Sequence, residues 1–137
     1  MAINSFRQLH VWQKSFELAK DVYGYCEKLP TSERFGLASQ MQRSSVSIPS
    51  NIAEGQQRNN RKEYRQFIGM AKGSAAELET QLLLAEAIHQ ANNQSLRTKL
   101  SEVQKMLHSL SKRLHSTPTT KTTTLDPKSL KPNTYNQ

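Results

Sequence analysis

Cysteine is nearly absent: a single residue, Cys26, occurs in 137. It cannot form an internal disulfide, so the fold must rest on its apolar core, and a reducing compartment suits it. Glycine and proline are scarce at 5 each, too few for the many tight turns of a β-sandwich or barrel. No apolar run approaches the roughly 18 residues that a membrane-crossing helix needs, so no membrane partner is expected. The opening Met-Ala-Ile-Asn-Ser-Phe-Arg lacks the apolar centre of a secretory signal, and the expected location is the cytoplasm. Acids are also short, 11 against 19 Lys and Arg, leaving a net charge of +8. That balance keeps a protein soluble and favours a polyanionic partner, nucleic acid above all.

Apolar spacing predicts four helices. The first runs from about Phe6 to Leu29, with Leu9, Trp12, Phe16, Ala19, Tyr23 and Cys26 in alternating steps of three and four. Leu18, Val22 and Leu29 widen that stripe, and Pro30 ends the helix. Thr31-Ser32-Glu33 offers a hydroxyl cap and an acid to the second helix, whose buried side is Leu37, Met41, Ile48 and Ile52. Pro49 inside it predicts a kink or short break, with Asn51 and Glu54 placed to cap a restart. The third helix spans about Arg61 to Gln90 with a core line from Tyr64 through Ile88. Its small residues Gly69, Gly73, Ala75 and Ala76 would admit a close neighbour. After an Asn92-Asn93 turn, Leu96, Leu100, Val103, Leu107, Leu110 and Leu114 form a heptad seam on the fourth.

Residues 1–115 are therefore expected to form an all-α, antiparallel up-down four-helix bundle with a kinked second helix. Residues 116–137, rich in Thr, Pro, Lys and Asn, read as a disordered C-terminal tail. Leu83 and Leu84 lie beside the core line and favour association into oligomers.

Catalytic patterns are missing. His10, His89, His108 and His115 lack the i, i+4 spacing of a helical metal site, and no Cys-x-x-Cys occurs. Glu-x-x-His occurs once, at Glu86 and His89, so the facing pair that a di-iron bundle needs is absent, as are a Gly-rich phosphate loop and a nucleophile-elbow motif. Glu54 is expected to cap or to pair with an arginine, and Cys26 to be a buried inert thiol. Neither catalysis nor a cofactor or metal is expected.

The basic residues are organised. Arg58, Arg61, Lys62, Arg65 and Lys72 fall on one stripe around the start of the third helix, roughly 115° from its apolar stripe, with Arg43 a possible extension. Such a stripe can follow a phosphate backbone with little reading of base sequence. Tyr64, the nearest aromatic, fits the core better than a base-stacking platform. The alternative is an oligomeric protein–protein scaffold whose charge serves only solubility.

Several segments resemble a known family in order and spacing. They are Leu9-x-Val11-Trp12-Gln13-Lys14, then Phe35-Gly36-Leu37 with Gln40 and Arg43, then Ser47-Ile48-Pro49-Ser50-Asn51-Ile52-Ala53-Glu54-Gly55 with Arg58. Ala71-x-Gly73-Ser74-x-x-Glu77-Leu78-Glu79 completes the set. Over roughly residues 6–115 the chain resembles the bacterial four-helix-bundle family of proteins encoded in intervening sequences of large-subunit ribosomal RNA genes. That family also holds the accessory variability protein of diversity-generating retroelements. The resemblance implies a ring-shaped homopentamer with a basic surface. From the retroelement member it implies binding of nucleic acid (RNA, DNA or hybrid) and of a reverse transcriptase during mutagenic template copying. Arg43 and Arg58 match basic positions of the family, while Asn51, Glu54 and Gly55 match architectural ones.

Overall fold

The computed structural model describes residues 5–116. A 3-10 turn at Phe6–Gln8 leads into α1 (His10–Cys26). A second 3-10 turn at Thr31–Glu33 precedes α2 (Leu37–Gln56), followed by α3 (Arg61–His89) and α4 (Gln94–His115). The expected tail lies outside the described residues.

The helices pack in a ring of neighbours: α1 on α2, α2 on α3, α3 on α4 and α4 back on α1. Cross-links run in opposite register throughout. Ser44 Oγ donates to Gln81 Oε1 at 2.6 Å and Ser47 meets Ser74 at 2.7 Å. Gln104 of α4 donates to Glu79 of α3, and Lys14 of α1 pairs with Glu102 of α4. The result is an antiparallel up-down bundle, as the sequence predicts. Its centre is fully buried Leu18, Met41, Ile48, Ile68, Leu82 and Leu107, each contributing about 1.5–3 kcal/mol of transfer free energy. The heptad seam of α4 is buried at every expected position.

Ile88, the last expected core position of α3, is 58% exposed, and three further local features differ from expectation. First, the inward face of α1 is rotated within the expected stripe: Leu18, Ala19, Val22, Cys26 and Leu29 are buried as expected, but its aromatic edge is not. Val11, Leu18, Val22 and Tyr25 are buried, whereas Phe16 and Tyr23 remain 44% and 46% exposed. The helix is apolar over more than half its circumference, and the aliphatic half takes the core.

Second, α2 runs unbroken through Pro49. Proline removes one donor, but Asn51 does not cap a restart. Its Nδ2 donates back to the carbonyl and Oγ of Ser47, both at 2.9 Å, tying the two turns together across the proline. The expected break is absent, and the buried Pro49 ring packs toward α1.

Third, the caps differ. The amide of Leu37 donates to Glu33 Oε1 at 3.0 Å, so a carboxylate caps α2 in place of a hydroxyl. Asn60 Oδ1 accepts from Glu63 N at 2.8 Å and opens α3. That helix ends on Gln90 in the left-handed region, φ 56°. The Asn92-Asn93 turn is held by Asn93, buried between helices. Its Nδ2 donates to Leu82 O at 2.7 Å and Tyr25 Oη at 3.0 Å, and its Oδ1 accepts from Arg97 at 2.8 Å.

Close approach of α2 to α3 depends on Gly55. A methyl there would stand 2.8 Å from Phe67 Cβ. Gly69 and Gly73 face outward, where a methyl would meet nothing.

Candidate nucleic-acid interface

The loop from α2 to α3 and the antiparallel pairing of α3 with α4 bring the first turns of α3 against the last turn of α4. Two of the expected phosphate-binding residues serve the fold at this end. Arg61 donates through Nη2 to Arg113 O at 2.8 Å and through Nε to Leu114 O at 3.2 Å, satisfying the terminal carbonyls of α4. Arg58 donates to Glu54 at 2.8 Å, stands 3.8 Å from Glu63, and lies over the Phe67 ring at 4.8 Å. Glu54 thus pairs with an arginine as expected, while two acids at Arg58 make this part of the stripe less positive than its sequence suggests.

Among the described residues, Lys62, Arg65 and Lys72 keep side chains without a hydrogen-bond or ion-pair partner. Lys62 is exposed, and Arg65 and Lys72 are half-buried. By helical register both lean toward α4, and Lys72 stands about 10 Å along the axis from Arg65. The structure adds Lys112 and Arg113 to this end, both exposed. No local pattern marked them, because their proximity to the start of α3 appears only once Arg61 reaches the α4 terminus. Arg113 lies close enough to act on Tyr64, whose phenol burial pushes above its ordinary value while the arginine charge draws it down. Tyr64 itself packs against the core.

Arg43 stands apart. The Ser44–Gln81 contact sets it level with Gln81 of α3, about 24 Å along the helix from Arg65. Its Nη1 donates to Ser39 Oγ at 2.7 Å.

Among the described residues, no His, Cys, Asp and Glu gather in a group able to hold a metal ion. Cys26 is buried, donates its thiol toward Ala38 O at 3.6 Å, and is pushed by burial up to about 11, so it stays protonated. His89 meets Glu33 at 2.7 Å, an inter-element tie. No helix among these residues is long and apolar enough to cross a membrane.

Fold and surface together define a basic antiparallel four-helix bundle, five of whose free cations lie along the first half of α3 and the last turn of α4. Residues 7–109 match the family described as 23S rRNA-intervening sequence protein, and the chain belongs to that family. No curated protein matches it.

Proposed function

We propose that this chain is a non-enzymatic, cytoplasmic, nucleic-acid-binding accessory protein that works as a homo-oligomer. The observation that carries the reading is the set of unpartnered cations Lys62, Arg65, Lys72, Lys112 and Arg113 on a chain of net charge +8. They suit phosphate contacts that hold a strand without reading its bases. A homopentamer, and assistance to a retroelement reverse transcriptase or another RNA-handling partner, follow from the resemblance and belong to the same proposal. Arg58 and Arg61 contribute charge while serving the fold, and Arg43 acts as a separate outlying contact.

The test is binding of nuclease-treated protein to labelled RNA, duplex DNA and hybrid across a salt series. Log affinity should fall linearly with log salt. Replacing Lys62, Arg65 and Lys112 with Gln should lower that slope by about 2–3, at 0.7–0.9 per phosphate contact. A folded triple variant with unchanged affinity and slope would discard this surface.

The exposed aromatic face of α1 favours a second reading, an oligomeric protein–protein scaffold without nucleic-acid binding. Absence of binding to all three nucleic acids at low salt would establish it.

A further inference from the structure

Phe35 is 88% exposed, more than any other large apolar side chain among the described residues. The fold makes no use of its ring. The turn that carries it is fixed by its neighbours: Gly36 N donates to Glu33 O at 3.0 Å, and Glu33 Oε1 caps the Leu37 amide at 3.0 Å. The same carboxylate meets His89 of α3 at 2.7 Å. A well-held turn thus presents an aromatic ring to solvent.

The surroundings of the ring are cationic and hydrogen-bonding. Arg34 lies over it, with the guanidinium carbon 5.3 Å from the centroid, and makes no ion pair among the described residues. Beside the ring is a cavity of about 500 Å³, with buried Leu29 and Ala38 in its wall and the polar side chains of Thr31, Ser39 and Gln42 around it. Arg43 reaches the same place, because its Nη1 donates back to Ser39 Oγ at 2.7 Å. Against these two arginines the cavity wall has one acid, Glu27.

This chemistry fits one nucleotide of an unpaired strand. An open ring is a stacking platform that any base can use, whereas the bases of a duplex are already stacked and closed to it. Flanking guanidinium groups suit the phosphates on either side. A ring meant for a protein partner would sit in a wider apolar patch, but Pro30 is the only other exposed apolar residue at this cavity. We infer that Phe35 stacks a base of single-stranded nucleic acid while Arg34 and Arg43 hold its phosphates. The inference rests on the nucleic-acid reading above and adds to it a preference for unpaired strands. It also gives Arg43 a neighbourhood. Phe35 stands at the His89 end of α3, about 40 Å along that helix from Lys62, so the two contacts can be tested apart.

The experiment titrates the full chain with three labelled probes: a short single-stranded RNA, the same strand annealed to its complement, and an abasic strand of equal length. Phe35→Ala should weaken binding of the single strand by about 5- to 150-fold and leave the duplex and the abasic strand unchanged. The salt slope should not move, because no charge is removed. Phe35→Tyr keeps a stacking ring and should bind as wild type does, while Arg34→Gln should lower the single-strand slope by about 0.7. Circular dichroism checks that each variant keeps its helices. Unchanged affinity of Phe35→Ala for the single strand would overturn the stacking assignment, as would an equal loss on all three probes. A changed mass by light scattering with RNA affinity intact would assign the ring to a protein contact instead. Wild-type protein that binds none of the probes at low salt would refute the nucleic-acid reading itself.

Discussion

Replacing Gly55 with alanine sets two effects of opposite sign against each other. Alanine is favoured over glycine in a helix interior by about 1 kcal/mol, so propensity alone would stabilise α2. The added methyl, however, would lie 2.8 Å from Phe67 Cβ, 3.1 Å from Tyr64 Cδ1 and 3.3 Å from Tyr64 O. Two of these neighbours cannot swing aside: a Cβ and a carbonyl are fixed to the backbone of α3. Relief requires α2 and α3, the most extensively packed pair, to separate by several tenths of an ångström. Overpacking of this kind costs about 1–3 kcal/mol, and its immovable contacts set Gly55 at the upper end. The net expectation is a loss of about 1–2 kcal/mol, or roughly 4–8 °C in Tm for a domain of this size. Gly24→Ala is the control, because its methyl meets nothing and should raise stability by about 0.5–1 kcal/mol. Urea melts of both variants at one protein concentration decide the matter. A neutral or stabilising Gly55→Ala would refute the claim that this glycine sets the α2–α3 spacing.

Asn93→Leu should destabilise by about 2–4 kcal/mol, since Leu82 O and Arg97 lose buried partners together, and urea melts will measure it. His89 and the Leu37 amide hold the Glu33 carboxyl below its ordinary value. A depressed folded value gives stability that is present above the ordinary carboxylate range and lost as pH falls through the folded value. Acid melts of Glu33→Gln should therefore show a smaller drop in stability below about pH 4 than wild type does. Arg61→Ala should uncap α4 and speed amide hydrogen exchange in its last turn, whereas Lys62→Ala should leave exchange there unchanged.

Helix count, direction and most of the core were legible in the sequence because α2, α3 and α4 each bury a single periodic stripe. On α1 two stripes lie side by side. Periodicity fixes both, but which one enters the core depends on what α2 and α4 present, and the aliphatic set fits better. The continuity of α2 was hidden for a related reason: loss of one hydrogen bond at Pro49 is local, whereas the packing of Ile48 and Ile52 on either side acts on the whole helix. At the cationic end, spacing located the stripe and could not assign duties within it. Arg61 is occupied by carbonyls 52 residues away, and Lys112 joins the cluster through the same distant contact.

On the proposed reading, a single bundle with five cations unpartnered among the described residues would hold a polyanion weakly. Five phosphate contacts give a salt slope no steeper than about 4–5, and affinity that fades near physiological salt. Assembly changes that arithmetic, because a strand spanning neighbouring copies engages several clusters at once and each later contact is intramolecular. Dilution until light scattering gives the monomer mass separates the two properties, since it leaves Lys62, Arg65, Lys72, Lys112 and Arg113 untouched. Titrated with long RNA, the dissociated protein should lose more than tenfold in apparent affinity and show the shallow slope of a single cluster. A short oligonucleotide that reaches only one copy should bind both forms alike. Equal affinity of the assembled and dissociated protein for long RNA would mean that one bundle is the whole binding unit, and that assembly serves another purpose.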